Sequence, residues 1–404
     1  MNVCKLKVCY NENCCNKNDR LLLFLGYCYN DNQYYKIESC KKYIHSRKYE
    51  SFITFEEWSF SLAYSILMYK DICQFERFLQ AVWRPSNIYC IHLDADASPQ
   101  IVHNVREIIK CFPNAFISTP TIDVEWGTPS VLEADLICMN NLVKITKPYW
   151  LYFLNANIHE FPLKTNLETV RILKILNGGN SIDTKIKFHH RLGRFRPHFD
   201  FPPVPLDPWF GEFHVVACRG FAEYIINSGP GQKISRWALK EWKICDEGLY
   251  STLNYNPHLR VPGAYTGKVE GQKYSPFFHR FKQWKFEPCP SGAFECTKCE
   301  SRRLIRNICI IGIRDLKRIT DLRNPALILN KIYWNIEPHA FDCLEEWFHN
   351  RVRDEKIGNK LHVENKNSVN YSFYASLDVV EKHVPCFPFQ PPAPPRMHHQ
   401  RKAV

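Results

Sequence analysis

Apolar segments of strand length alternate with segments of helical periodicity along most of the chain. Ser61–Met68 (SLAYSILM) is a continuous apolar run, and Ile72–Val82 repeats its apolar residues with the period of a helix. The same patterns predict strands at 88–93, 115–118, 149–154, 213–217 and 307–311, and helices at 99–111, 130–143, 165–176, 220–226 and 342–352. Strands that alternate with helices form right-handed βαβ units. The sequence therefore predicts an α/β fold with a mostly parallel central sheet flanked by helices.

Polar residues follow three of these strands. Tyr69 and Lys70 come after the first, Asp94 and Asp96 after the second, and residues 155–160 after the strand at 149–154. Ligands on open parallel sheets bind beyond the carboxyl ends of the strands. We therefore expect these segments to form one ligand-binding rim. Residues 189–209, rich in Arg, Pro and aromatic residues, predict a loop that covers it.

Composition divides the chain into three predicted parts. Residues 1–50 are rich in Cys, Asn and Lys without periodicity, and predict a stem or a disulfide-tied extension. Residues 51–352 carry the alternating pattern and predict the catalytic domain. Residues 353–404 form a C-terminal extension that is Pro-rich and predicted to be disordered from about residue 385.

The chain is basic, with a net charge of +12. Such an excess suits nucleic acid, anionic glycans or a nucleotide diphosphate. The sequence contains no RNA-binding signature, zinc-finger spacing or basic helix, and no glycine-rich phosphate loop of either common type. We therefore expect no nucleic-acid partner.

The chain contains 18 cysteines, which favours disulfides of a secretory-pathway protein. Cys296 and Cys299 have the spacing of half a zinc site, but no second pair or His completes it. An N-glycosylation sequon at Asn370 agrees with that compartment. Residues 21–29 are apolar for too short a stretch to span a membrane, which takes about twenty residues. They also do not read as a signal peptide.

Residues 242–254 (WKICDEGLYSTLN) are the best candidate for the chemistry. Asp246 and Glu247 lie just ahead of a short apolar helix. The free N–H groups and dipole of a helix start keep a carboxylate ionised, which suits a general base that takes a proton from a sugar hydroxyl. The alternative is an ordinary acidic cap on a solvated helix.

The chain resembles the core-2/I-branching β-1,6-N-acetylglucosaminyltransferases, which share a glycosyltransferase family with the peptide O-xylosyltransferases. The likeness covers about residues 35–352. It is carried in order by the blocks LAYSILMYKD…FERFLQAVWRPSNIYCIHLD, EADLICMNNL, FPLKTNLETVRILKILNGGNSI, CDEGLYSTL, VPGAY, RFKQWKFE, IRNICIIGIRDL, LNK and DCLEEW.

The resemblance implies a GT-A fold that transfers a sugar from a UDP donor with inversion and without a metal cofactor. Glu247 matches the family's catalytic base, and Asp246 its acidic neighbour. Leu67, Tyr69, Asp94 and Trp126 fall where the family binds the donor, and Arg306 and Lys331 fall where it holds the diphosphate. Acceptor-binding positions correspond to Asp183, Arg191, Arg194, Trp284 and Phe286. Asp183 stands for a Glu, Arg191 for a Lys and Phe286 for a Tyr, so acceptor preference is open. At the donor site Trp126 stands for a Tyr, and either ring can stack on a base.

A metal-dependent alternative rests on Asp94-Ala-Asp96, which looks like the D-x-D motif of other GT-A enzymes. That segment ends the second strand, earlier than the motif normally lies, whereas the later strand end carries Asn155 and Asn157. Carboxamides are poorer metal ligands than carboxylates. We therefore favour Arg306 and Lys331 as the fixed charges that hold a departing UDP.

One segment departs from the family. Residues 156–160 (ANIHE) replace the usual Cys-Gly-x-Asp before Phe-Pro. Because this segment is expected near the donor sugar, UDP-GlcNAc is the default donor and UDP-glucose or UDP-xylose remain alternatives. Protein O-xylosylation and a non-catalytic glycan-binding protein on this fold are the competing functions.

The resemblance also implies disulfides Cys40–Cys111, Cys90–Cys138 and Cys299–Cys309, and a pairing of Cys343 with an N-terminal cysteine. It implies a type II membrane protein of the Golgi lumen that acts on O-glycans of glycoproteins, although the sequence shows no clear anchor or signal peptide.

Overall fold

A computed structural model describes residues 31–184, 186–187, 200–267, 275–285, 298–358, 361, 364 and 369–380. Its central sheet has six strands in the order β3-β2-β1-β4-β9-β6. These strands are β1 Ser61–Met68, β2 Ile88–Leu93, β3 Ala115–Ile117, β4 Trp150–Asn157, β6 Ser181–Ile182 and β9 Val215–Cys218. The β1–β2, β1–β4 and β2–β3 pairs are parallel, and β9 is antiparallel to its neighbours β4 and β6. The predicted α/β fold class is confirmed.

Helices pack against this sheet. The larger ones are α3 Ile72–Val82, α4 Pro99–Ile109, α5 Ser130–Val143, α6 Asn166–Leu176, α7 Arg219–Asn227, α8 Gly229–Glu241 and α11 Pro338–Lys356, and the shorter ones are α1 Cys40–Ser46, α2 Phe55–Trp58, α9 Leu249–Asn254, α10 Leu316–Ile319 and α12 Ser372–Ala375. Helix α8 was not predicted. Because β1, β2 and β4 are covered on both faces, almost all their side chains are buried, which explains their continuous apolar sequences.

A second, smaller layer builds one edge of the ligand-binding rim. Strands β5 (Glu160–Pro162), β13 (Ile328–Asn330) and β10 (Arg280–Phe281) form a three-stranded sheet over their own apolar core. Strands β11 (Leu304–Ile305) and β12 (Ile308–Cys309) form a hairpin beside it. A further pair, β7 (Ile186–Lys187) and β8 (Trp209–Phe210), is antiparallel. The late strand predicted at 307–311 is β12, shortened to Ile308–Cys309. Its partner β11 and the reversal of the chain at Arg306 and Asn307 were not predicted.

The main core extends beyond both ends of the predicted 51–352 domain. Ile37, Tyr43 and Tyr49 before it and Tyr371 after it are buried against the same cluster. Helix α1, inside the predicted stem, is tied to the sheet layer by the Cys40–Cys111 disulfide. The Pro-rich segment from residue 385 lies outside the described residues.

Two of the predicted disulfides, Cys40–Cys111 and Cys299–Cys309, are confirmed. The predicted Cys90–Cys138 bond is wrong. Both are buried free thiols, and Cys138 Sγ, on α5, donates a 3.5 Å hydrogen bond to the Cys90 carbonyl on β2.

The remaining cysteine prediction concerns Cys343, which is half-buried. Its predicted N-terminal partner lies outside the described residues. Cys73 is also disulfide-bonded, which the resemblance did not predict.

Candidate functional site: a cationic rim beside a carboxylate segment

The carboxyl ends of β1, β2 and β4 meet at one edge of the sheet, as predicted. In the parallel register Leu67 lies opposite both His92 and Asn157, so the segments that follow these strands leave the sheet together. Leu67 is half-buried, and Tyr69 is exposed with the Lys70 ammonium 4.9 Å from its ring centroid.

Arg306 projects from the tip of a tight hairpin. Leu304 pairs with Cys309 and Ile305 with Ile308, which leaves Arg306 and Asn307 as a two-residue turn. Both have positive φ, 52° and 63°, as a type I′ turn requires. Asn accepts that conformation readily, but Arg does so at a cost of about 1 kcal/mol. A strained arginine at such a turn is consistent with a functional position.

A strand pairing and a backbone hydrogen bond place Lys331 beside the hairpin. Lys331 follows β13, whose Asn330 pairs with Glu160 of β5, and its carbonyl accepts a 2.9 Å hydrogen bond from Ile311 just beyond the hairpin. Burial lowers the pKa of Lys331 to about 8, and the charges of Arg306 and Lys282 reinforce that effect. The cations therefore repel one another across this part of the rim, which favours an anionic ligand.

His159 is a neutral residue that lies next to the cations of the rim. Its ring stacks on Tyr333 with centroids 4.0 Å apart, and its Nδ1 is buried with no hydrogen-bond partner among the described residues. Burial, helped by the charges of Lys331 and Lys70, lowers the pKa of His159 to about 3, so the imidazole is neutral at pH 7. His159 belongs to the 156–160 segment that the sequence placed near the donor sugar, whereas Tyr333 was not identified from the sequence as a site residue.

Trp126 contacts Arg306, and Asp94 binds the loop that carries Trp126. The Arg306 guanidinium lies 4.1 Å from the Trp126 ring centroid, and that ring is 63% exposed. The Asp94 carboxylate accepts hydrogen bonds from the Asp96 N–H at 2.9 Å and the Val124 N–H at 3.3 Å. Asp94 thus holds the loop that presents Trp126. Burial raises the pKa of Asp94.

The Asp246–Glu247 segment forms a 3₁₀ turn immediately before α9, as the sequence predicted. Two glycines fix its place. A Cβ at Gly248 would lie 1.9 Å from the Trp242 ring, and a Cβ at Gly211 would lie 2.0 Å from the Asp183 carbonyl oxygen. The Gly211 N–H donates to the Glu247 carbonyl at 2.8 Å.

A buried carboxylate holds helix α9 onto the sheet. Asp135 accepts hydrogen bonds from Ser65 Oγ at 2.5 Å, Tyr250 Oη at 2.5 Å and Asn155 Nδ2 at 2.9 Å. Burial raises the pKa of Asp135 to about 6, against the effect of those bonds. Tyr250 lies three residues after Glu247, so this contact anchors the segment that carries the carboxylates.

Two of the predicted acceptor-binding residues lie in the described part. Asp183 is buried and its carbonyl accepts a 2.8 Å hydrogen bond from Ser251 Oγ on α9, which places it against the Glu247 segment. Trp284 pairs through its backbone with Ile308 of the Arg306 hairpin. Arg191, Arg194 and Phe286 lie outside the described residues.

A buried chain of charged groups joins the rim to Trp284. The fully buried Glu160 accepts from Asn330 Nδ2 at 2.9 Å and pairs with His214 Nε2 at 2.6 Å. Lys282 Nζ lies 2.9 Å from His214 Nδ1 and 2.7 Å from Glu212 Oε2, and Trp284 Nε1 donates to Glu212 Oε1 at 3.2 Å.

One sequence pattern could have indicated these buried charged contacts. Arg280, Lys282 and Trp284 alternate with Phe281 and Gln283, so in an extended segment they share one face. Phe281 enters the second core, while Arg280 lies 3.4 Å from Glu160.

No group of three or more His, Cys, Asp or Glu side chains among the described residues is arranged to hold a metal ion. None of the helices in the described part is long and apolar enough to cross a membrane. The sequon residue Asn370 is exposed, and its glycosylation stays a prediction.

Comparisons with known proteins agree on one family. The sequence model of the Core-2/I-branching enzyme matches residues 62–320. The beta-1,3-galactosyl-O-glycosyl-glycoprotein beta-1,6-N-acetylglucosaminyltransferase 3 of Ovis aries is 31% identical over 358 residues, 80% of this chain and 76% of that protein. The protein of that name from Homo sapiens is 31% identical over 350 residues, 79% and 75% of the two chains. A beta-1,3-galactosyl-O-glycosyl-glycoprotein beta-1,6-N-acetylglucosaminyltransferase of Bovine herpesvirus 4 is 31% identical over 346 residues, 80% and 76% of the two chains.

The buried Glu160 predicts a pH-dependent contribution to stability. Burial alone would raise its pKa, but Arg280 and His214 outweigh burial and hold the pKa at about 2. A lowered carboxyl pKa stabilises the fold above the unfolded value of 4.5, and the effect is lost as pH falls towards 2. Glu160→Gln should cost about 3 kcal/mol of unfolding free energy at pH 7, because Arg280 loses its buried partner.

Urea unfolding of both proteins between pH 7 and pH 3 measures this effect. The gap between them should shrink below pH 4.5, because the unfolded wild-type chain then binds a proton at Glu160 while the folded protein does not. A gap that stays constant or widens in acid would contradict the assignment.

Proposed function

Because the chain belongs to the Core-2/I-branching enzyme family and is therefore a glycosyltransferase, we propose that it transfers GlcNAc from UDP-GlcNAc, in β-1,6 linkage, to Galβ1-3GalNAc O-glycans of glycoproteins. The observation that carries the proposal is the cationic rim: Arg306 lies against the exposed Trp126 ring, and its charge acts on the half-buried Lys331. A nucleoside diphosphate matches both features, with a base for the ring and two phosphates for the cations. The names of the relatives support the donor sugar and the acceptor.

The rim supports transfer without a metal cofactor. Departure of UDP requires neutralisation of the charge that develops on its phosphates, and Arg306 and Lys331 supply fixed positive charge there. Burial is the main cause of the lowered pKa of Lys331, and repulsion from Arg306 and Lys282 adds to it. Binding of the diphosphate would offset that repulsion.

Glu247 acts as general base in the proposed reaction. Its carboxylate takes the proton of the acceptor 6-hydroxyl as that oxygen attacks the anomeric carbon. The bond from that carbon to the phosphate oxygen breaks in the same step, UDP leaves with the bonding electrons, and the configuration inverts. We place the reaction in the Golgi lumen, with membrane attachment if the full-length protein carries an anchor.

A donor screen tests the proposal. The protein is incubated with Galβ1-3GalNAc and, separately, with a serine-containing peptide, each with labelled UDP-GlcNAc, UDP-glucose or UDP-xylose. We expect label from UDP-GlcNAc on the disaccharide alone. Because His159 and Glu160 replace family residues beside the donor site, transfer from another UDP-sugar would reassign the donor. Label on the peptide would indicate O-xylosylation, and UDP binding without transfer to either acceptor would indicate a glycan-binding protein.

Glu247→Gln tests the base. The amide keeps the shape of the side chain but takes no proton, so turnover should fall by a factor on the order of 10² to 10⁴. UDP affinity, measured by calorimetry, should change little because the base contacts the acceptor. Turnover near that of the wild type would overturn the assignment.

Arg306 offers a test in which the hairpin supplies its own control. Arg306→Ala should weaken UDP binding by about 1.5–3 kcal/mol, the scale of a charge-assisted hydrogen bond. Arg306→Asn should weaken it as much, yet melt at the same temperature as the wild type or higher without UDP, because Asn favours the turn. Arg306→Lys should bind UDP with intermediate affinity, since it keeps the charge without the planar fork. Unchanged UDP affinity in the Asn variant would refute the role of Arg306.

A further inference from the structure

We propose that Glu212 is a positioning residue that fixes the Trp284 indole for the acceptor glycan, and that it does so as part of a buried path between the acceptor side and the donor rim. The inference rests on the proposed function and extends it to a residue that the sequence did not single out. Glu212 is 8% exposed, which makes its contacts part of the interior and not of the solvated surface.

Glu212 uses its two carboxylate oxygens for different partners. Oε1 accepts from Trp284 Nε1 at 3.2 Å, and Oε2 pairs with Lys282 Nζ at 2.7 Å. The indole N–H is a single donor with a fixed direction, so its partner sets the rotation of the ring. The salt bridge to Lys282 in turn fixes Glu212, because a buried carboxylate without its cation is costly.

The residue next to Glu212 holds the proposed base. The Gly211 N–H donates to the Glu247 carbonyl at 2.8 Å, and Gly211 has no room for a side chain against Asp183. Gly211 therefore holds Glu247 through a backbone hydrogen bond, and the next residue, Glu212, holds Trp284 through its carboxylate. A shift of Glu212 would change the distance between the base and the acceptor surface.

The other end of the path reaches the donor rim. Lys282 contacts His214, His214 contacts Glu160, and Glu160 is hydrogen-bonded to Asn330, the residue before Lys331. Burial lowers the pKa of His214 to about 4, so at pH 7 the ring is neutral, accepts from Lys282 at Nδ1 and donates to Glu160 from Nε2. Each contact thus has a donor and an acceptor at pH 7.

A double-mutant cycle tests the proposal. Glu212→Gln, Trp284→Phe and the double variant are compared for acceptor KM, kcat, UDP affinity by calorimetry and melting temperature. Gln has a single acceptor oxygen, which the buried Lys282 ammonium should take, and its NH₂ group cannot accept from the indole N–H. Glu212→Gln should therefore raise the KM for Galβ1-3GalNAc about five- to ten-fold, the scale of one lost hydrogen bond, with UDP affinity within about two-fold of the wild type. In the Trp284→Phe background, which has no indole N–H, the same change should have no further effect.

Additive effects in the cycle would overturn the proposal, as would a joint loss of kcat, UDP affinity and melting temperature, which indicates a merely structural role. If Glu212→Gln does not fold, Glu212→Asp replaces it, because the shorter side chain keeps the charge for Lys282 and withdraws from Trp284. The same rise in KM is expected from that variant, and an unchanged KM refutes the proposal.

If the wild-type protein transfers no sugar, the proposed function is contradicted but the role of Glu212 is not. The dissociation constant of Galβ1-3GalNAc then replaces KM in the double-mutant cycle, and the same changes are expected. A wild type that does not bind the disaccharide refutes both.

Discussion

Repulsion between fixed cations is the interaction on which this site depends. Backbone hydrogen bonds place Lys331 beside the Arg306 hairpin. Burial lowers the pKa of Lys331 to about 8, and repulsion from Arg306 and Lys282 adds to that effect. The hairpin turn adds a backbone cost at Arg306. A bound diphosphate would offset the repulsion between the cations. The rim therefore destabilises the free protein and is complementary in charge to its proposed ligand.

The residues around the rim explain why its cations keep their positive charge available for a ligand. His159, which faces several cations, stays neutral, and Glu160 beneath it is already committed to Arg280, His214 and Asn330. An available carboxylate at that depth would neutralise Lys331 and remove the attraction for an anion. The partners of Glu160 therefore leave the cations of the rim without a carboxylate of their own. The ordering of the acceptor side by Glu212 is our proposal.

The periodicity of apolar residues and the family resemblance correctly predicted the elements whose pattern lies within one continuous segment. The strands and helices from Ser61 to Leu176, the common rim and the carboxylate segment before α9 follow from patterns within single elements. The turn at Arg306 and Asn307 was missed because apolar residues flank it on both sides and no glycine marks it. Tyr333 and Glu212 were missed because their roles depend on partners far away in sequence. The Cys90–Cys138 prediction failed because two cysteines can pack side by side as thiols.

The central claim is that side chains, not a metal ion, neutralise the departing diphosphate, and transfer in the presence of EDTA tests it most directly. Initial rates are measured for the wild type and for Asp96→Ala, each with EDTA and with added Mn²⁺. The account predicts the same rate in all four conditions, because Arg306 and Lys331 carry the charge and the exposed Asp96 binds no ion. Activity that EDTA abolishes, that Mn²⁺ restores and that Asp96→Ala removes would contradict it and make Asp94 and Asp96 a metal site.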